Sequence, residues 1–103
     1  MAWVILLGAG LLEVVWLYFL KAANGMEHKG YGALGWALAT ISFGMLGLAL
    51  RDLPAGTAYA VWTGIGAVGA FVTGVLLFGD SASAMRIVSI GLIVAGIVGL
   101  KLA

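Results

Sequence analysis

Four long apolar blocks, separated by short charged stretches, are the feature that most limits how this chain can fold. Each block is about as long as the ~20 apolar residues that an α-helix needs to cross a bilayer. We therefore predict four membrane-spanning helices, at approximate spans 2–20, 31–50, 54–78 and 83–101. Because four such spans leave few residues for connections, neighbouring helices run antiparallel and residues 1–103 form a single transmembrane domain.

The composition excludes the two main alternatives to a membrane protein. Of the 103 residues, 64% are hydrophobic and only 9% are charged, whereas soluble domains carry ~25% charged residues. Nine charges do not cover the surface of a soluble domain of this length. Disorder requires low hydrophobicity and high charge, and the chain has the opposite balance. The fold class that remains is an all-α integral membrane protein.

Several kinds of functional site are not expected. The five basic residues are scattered, whereas nucleic-acid binding requires them clustered. The chain has no cysteine, and His28, its one histidine, reads as a polar loop residue, so we expect no metal. The Gly64-x-Gly66 pair lacks the strand-turn-helix context of a nucleotide motif, so we expect no cofactor. No residue pattern indicates an enzyme.

Glu13 is the one charged residue placed deep within a span. Acids inside membranes usually face a cavity and carry function, because an ionised carboxylate is costly in lipid. Such a group binds either a proton or a cation, but not both at once. That competition is the logic of a proton-coupled cation antiporter. The alternative is a structural acid that stays protonated and hydrogen-bonded, for example to a serine.

Side chains at helical spacing are candidates to surround Glu13. Gly10 and Trp16 lie three residues before and after it. Gly10 leaves room beside the carboxylate, and Trp16 offers an indole N–H or a ring face for a cation. Thr40 and Ser42 are the only serine or threonine hydroxyls of the second span, and each can bond either the carboxylate or its own i−4 carbonyl.

The third span carries a second group of candidate residues. Tyr59 and Trp62 are three residues apart and share a helix face, and Thr63 follows them. A run of glycines over residues 64–74 then favours close packing and a bend.

Two features of the sequence favour an oligomer. The last span contains Gly91-x-x-x-Ala95 and Ala95-x-x-x-Gly99, a small-residue spacing that lets helices approach closely. Packing within one chain is the alternative use of this face. In addition, four helices barely enclose a polar cavity for Glu13, so a dimer is reasonable.

The basic residues do not choose an orientation in the membrane. Lysine and arginine normally favour cytoplasmic loops. The side that holds the N-terminus carries three positive charges, namely the terminal amine, Arg51 and Lys101. The opposite side also carries three, from Lys21, Lys29 and Arg86. This balance fits either a weak signal or insertion in both orientations, with two inverted copies pairing.

Three segments carry a resemblance to a known family. They are Gly10–Trp16 (GLLEVVW), Leu53–Ala67 (LPAGTAYAVWTGIGA) and Gly96–Lys101 (GIVGLK). With them the chain resembles the small multidrug resistance transporters over essentially its whole length, and within that family the guanidinium-exporter branch. The resemblance implies a proton-coupled antiporter that exports guanidinium or substituted guanidinium cations. It also implies an antiparallel, dual-topology homodimer in the plasma (inner) membrane of a prokaryote.

The resemblance also implies roles for particular residues. Glu13 would bind substrate and protons in turn, and Trp16 and Ser42 would hold Glu13 by hydrogen bonds. Tyr59 and Trp62 would line the pocket. Further pocket-lining positions are Gly10, Leu17 and Thr63.

Two departures from that branch keep other functions open. Position 17 is typically small and position 39 is often methionine, whereas this chain has Leu17 and Ala39. A broad-range exporter of quaternary-ammonium or polyaromatic cations is therefore the main alternative. Outside this class, the alternatives are a non-transporting assembly or regulatory subunit and a passive channel. A heterodimer with a related chain is the alternative to the homodimer.

Overall fold

A computed structural model describes all 103 residues as four helices and no strand. The helices are α1 (Ala2–Ala22), α2 (Lys29–Ala49), α3 (Ala55–Leu77) and α4 (Ala84–Leu102). They contain 21, 21, 23 and 19 residues, so each is about 30 Å long and matches the hydrocarbon core of a bilayer. The prediction of four membrane-spanning helices is confirmed.

The connections between helices are short, and the helix ends differ from the predicted spans by up to two residues. The N-cap of α4 also differs from the sequence expectation. Ser83 is the N-cap of α4, where Asp80 or Ser81 was expected, and its Oγ accepts from the Arg86 backbone N–H at 3.4 Å. The α1–α2 turn is closed by Asn24 and Gly25, both with positive φ. The glycine-rich part of α3 continues as unbroken helix.

The four helices form a curved row rather than a closed bundle. α1 packs on α2 and on α3, α3 packs on α4, and α2 meets α3 only over a short stretch around Trp62. The molecule measures 42 × 34 × 16 Å, so it is about twice as wide as it is thick. A row of this kind has two broad faces.

The apolar core is small and lies where α1, α2 and α3 meet. It consists of Leu6, Ala9, Leu46, Ala49, Ala58, Val61 and Trp62. Only 16 of the 103 residues are buried, although most of the chain is apolar. The hydrophobic surface therefore faces outward, where lipid or a second chain covers it.

α4 is the least embedded helix, because none of its residues is buried. It contacts α3 through Ile93 and Ile97, which lie against Gly64. Its small residues do not take part in this contact, since a Cβ added at Gly91 or Gly99 would meet nothing within 4 Å. The small-residue face of α4 is therefore not used for packing within one chain.

Candidate functional site

Glu13 lies on α1 and turns its carboxylate toward α3. The carboxylate rests directly against Gly66, at a place where any Cβ would collide with it. Its Oε1 atom is buried and has no hydrogen-bond partner. A buried acceptor without a donor is costly, and in native proteins such groups are usually functional or are satisfied by a bound species.

A hydrogen-bonded joint connects three helices one turn away from Glu13. The Ser42 hydroxyl on α2 donates to the Ala9 carbonyl of α1 at 2.8 Å. The same oxygen accepts from the Trp62 indole N–H of α3 at 3.0 Å. Ser42 is fully buried and Trp62 is nearly so, which makes these bonds more costly to break than surface bonds.

The Ser42 and Thr40 hydroxyls of α2 therefore have hydrogen-bond partners other than the Glu13 carboxylate. Ser42 bonds the backbone of α1 and the ring of Trp62 instead of Glu13, because its position on α2 faces Ala9. Thr40 bonds the Trp36 carbonyl of its own helix at 3.0 Å, the local choice open to any helical threonine.

Trp16 holds the second unsatisfied polar atom of the region. Its Nε1 is buried and has no acceptor. The expected bond from Trp16 to Glu13 is thus not formed, although both side chains carry a free, buried partner atom: one a donor, the other an acceptor.

An aromatic group extends from Trp62 to the surface of the chain. The centroid of the Trp62 ring lies 5.8 Å from the centroid of the Tyr59 ring and 5.1 Å from that of the Phe43 ring. Tyr59 is 58% exposed and Phe43 is 56% exposed. Flat aromatic faces of this kind attract organic cations.

The three remaining predicted pocket residues lie in different environments. Ile65 of α3 occupies the space beside Gly10, so that a Cβ there would come within 2.8 Å of the isoleucine. Thr63 is exposed on α3 and makes no side-chain hydrogen bond. Leu17 is 37% exposed and lines a cleft between α1 and α3 that does not include Glu13.

Sequence reasoning missed three participants in this region. Phe43 follows Ser42 directly. Its aromatic ring could have been grouped with Trp62 only if the rotation of α2 about its own axis were known. Gly66 is four residues after Trp62 and could have been found by helical spacing. The Ala9 carbonyl carries no sequence signal, because every residue has one.

The comparisons with known proteins agree with this architecture. A family described as "Small Multidrug Resistance protein" matches residues 1–93. A protein named "Guanidinium exporter" from Citrobacter freundii is 58% identical over 102 residues, which is 99% of this chain and 97% of that protein. A protein of the same name from Salmonella typhimurium (strain LT2) is 56% identical over 102 residues, again 99% of this chain and 97% of that protein. Another, from Yersinia pseudotuberculosis, is 53% identical over 103 residues, which is 100% of this chain and 99% of that protein.

The match extends over nearly the whole length of the chain, and the four membrane-spanning helices agree with it. Relatives named as exporters make this a family of transporters rather than of enzymes. The chain belongs to the Small Multidrug Resistance family and is a multi-pass membrane transporter.

Proposed function

We propose that this protein exports guanidinium-type cations from a prokaryotic cell across the inner membrane, in exchange for protons. The observation that carries the proposal is the buried, unpartnered Oε1 of Glu13, the one carboxylate in the middle of a span. The relatives named "Guanidinium exporter" support the substrate class.

The chemistry of the proposed substrate fits the carboxylate. A guanidinium group is planar and permanently charged, and it offers parallel N–H donors that a carboxylate accepts in pairs. A proton on Glu13 removes that acceptor, so the proton and the cation exclude each other. Exchange of protons for cations follows if the empty, unprotonated site does not switch its access from one side of the membrane to the other.

Trp16 is proposed to hold Glu13 rather than the substrate. A guanidinium has no acceptor atom, so it cannot satisfy the free indole N–H. A carboxylate oxygen can do so with one of its lone pairs, and Glu13 then still accepts from the cation with both oxygens. Ser42 would join this arrangement by exchanging its bond to Ala9 for one to Glu13.

The working unit is proposed to be an antiparallel homodimer. One chain is a curved row that leaves Tyr59 and Phe43 exposed beside the Glu13 region. A second, inverted chain facing the first would enclose these groups and bring two Glu13 carboxylates to one cavity. The open small-residue face of α4 supports a helix contact between chains. The two acids would then titrate as a pair.

Leu17 supports a second candidate function, the export of bulky quaternary-ammonium or polyaromatic cations. Its side chain is partly exposed in an apolar cleft beside the Glu13 face of α1. A cation with large apolar substituents gains more from such a surface than bare guanidinium does.

Transport currents on solid-supported membranes test these proposals. Purified protein in liposomes is given a guanidinium gradient, and then a bulky aromatic cation, at several pH values. We expect saturable guanidinium currents that depend on the proton gradient and vanish in Glu13→Gln. Glu27→Gln, which alters an exposed loop acid, is the matched control and keeps the current.

The opposite results are equally informative. Coupled guanidinium transport by Glu13→Gln contradicts the role of the carboxylate. Larger currents with the aromatic cation than with guanidinium, reversed in Leu17→Ala, favour the second candidate.

A further inference from the structure

A cleft of about 190 Å³ opens between α1 and α3, toward the end of the molecule that carries the α3–α4 loop. Its inner wall is apolar and includes Val14, Leu17 and Ala70. Val14 packs onto Gly69 between this space and the Glu13–Gly66 contact. The cleft is thus separate from the Glu13 region, although both lie along the same pair of helices.

The mouth of the cleft holds a carboxylate in a fixed place. The Asp80 backbone N–H donates to the Gly74 carbonyl at 3.0 Å, which folds the loop back onto the end of α3. The Asp80 carboxylate then lies against Gly74, where a Cβ would collide with it. Asp80 takes part in none of the side-chain hydrogen bonds of the chain, so its acceptor capacity is free.

Two aromatic rings line the cleft together with this carboxylate, and a cation of the chain already lies over one of them. Tyr18 and Phe78 both line the cleft, with ring centroids 5.7 Å apart. The Lys21 ammonium stands 5.7 Å from the centroid of the Phe78 ring. A flexible lysine that settles over an aromatic face of this cleft marks a place where a positive charge is favourable.

From this arrangement we infer a second binding site for organic cations in the α1–α3 cleft, with Asp80 as the anion and Tyr18 and Phe78 as the walls. The ligand class is a planar monovalent cation that carries an apolar substituent. The charged group would lie at the mouth, and the substituent would reach the wall of Val14, Leu17 and Ala70. Lys21 acts as a tethered competitor that the ligand displaces.

The choice of cation class rests on the proposed function, but the site itself does not use Glu13. A cation held here would lie near the membrane surface, at least two helical turns from the Glu13–Gly66 contact, since Gly74 follows Gly66 by eight residues. The test therefore measures binding in a variant that lacks the Glu13 carboxylate, where transport is not needed.

Calorimetric titration of phenylguanidinium into the Glu13→Gln protein in nanodiscs is the first measurement. We expect weak, saturable binding that becomes roughly tenfold weaker when Asp80→Asn is added. Asp52→Asn, which neutralises an exposed acid in the α2–α3 loop, is the matched control and leaves the binding unchanged. No binding to Glu13→Gln, or equal binding with and without Asp80, overturns the inference and leaves the Glu13 proposal intact.

Two further variants test the geometry in the same background. Gly74→Ala keeps every charge but pushes the Asp80 carboxylate out of its place, so the affinity should fall about as far as with Asp80→Asn. Lys21→Met removes the competitor and should raise the affinity several-fold, whereas Lys29→Met should not. Loss of phenylguanidinium binding in Lys21→Met would show that the lysine supports the site rather than competing for it, and overturns the inference.

Discussion

The carboxylate of Glu13 lies directly on the backbone of Gly66, with no side chain between the two helices at that point. The contact places the acid of α1 against α3, one turn beyond the indole of Trp62. It also explains why one carboxylate oxygen is buried without a partner, since a helical backbone has no free N–H to offer it.

Gly66→Ala tests whether this contact positions the acid. The added methyl group occupies the place of the carboxylate, so Glu13 must take another rotamer. We expect guanidinium affinity to fall roughly tenfold, while the helix itself is not weakened because alanine favours helix more than glycine. Gly56→Ala on the same helix adds its methyl group to open space and serves as the control. Equal affinities for the two variants would contradict a positioning role.

Ser42→Ala is expected to loosen the joint between α1, α2 and α3. It removes two hydrogen bonds and leaves the buried Trp62 N–H without an acceptor, at a cost of about 1–3 kcal/mol in stability. Thermal unfolding in detergent measures this loss. Thr40→Ala breaks only a bond within its own helix and should change stability little.

The pH dependence of guanidinium binding tests a second role of Ser42. If its hydroxyl turns to Glu13 in the loaded state, Ser42→Ala shifts the pH at which protons displace the cation. Thr40→Ala leaves that pH unchanged. An unaltered pH profile in Ser42→Ala would limit Ser42 to the structural joint.

Trp16 and Trp62 both have a buried indole N–H, and they should respond differently to its removal. Trp62→Phe loses a bond to Ser42, so we expect a loss of about 1 kcal/mol in stability. Trp16→Phe removes a donor that has no partner, so the protein should be as stable as before or more so. Binding separates the two effects further: Trp16→Phe should weaken guanidinium binding if the indole holds Glu13 in the loaded state. A Trp16→Phe variant that is less stable than Trp62→Phe would contradict this assignment.

Single cysteines report the orientation of the chain, which has no native cysteine. His28→Cys and Asp52→Cys place a thiol in exposed connections at opposite ends of the helices. For an antiparallel dimer, we expect a membrane-impermeant maleimide added outside the cell to label roughly half of each variant, because the charge balance favours neither orientation. Full labelling of one variant and none of the other would establish a single orientation.

The number and length of the helices could be predicted because they depend on local composition. Four apolar blocks of the right length have only one fold available in lipid, and the charged residues mark where they end. Glu13 could likewise be singled out, since a charge inside a block contradicts its surroundings. Even so, the cap of α4 was misplaced by two residues or more, because Asp80, Ser81 and Ser83 are all suitable cap residues.

The partners of individual polar groups could not be predicted in the same way. Whether Ser42 meets Glu13 or Ala9 depends on the rotation of α2 about its axis, and nothing in the local sequence determines that rotation. The space beside Gly10 was expected to be free, but Ile65 fills it from a helix more than fifty positions away. Such contacts depend on how whole helices are set against one another.

The arrangement of the helices in one curved row has a consequence for the stability and assembly of the protein in the membrane. In the proposed dimer, a row with so few buried residues gains much of its packing only when the second chain binds. Assembly and stability then follow mass action, so that each depends on the number of chains per area of bilayer. Dilution of the protein with added lipid should therefore lower both its resistance to unfolding and its activity per chain, and a covalent link between two copies should remove that sensitivity.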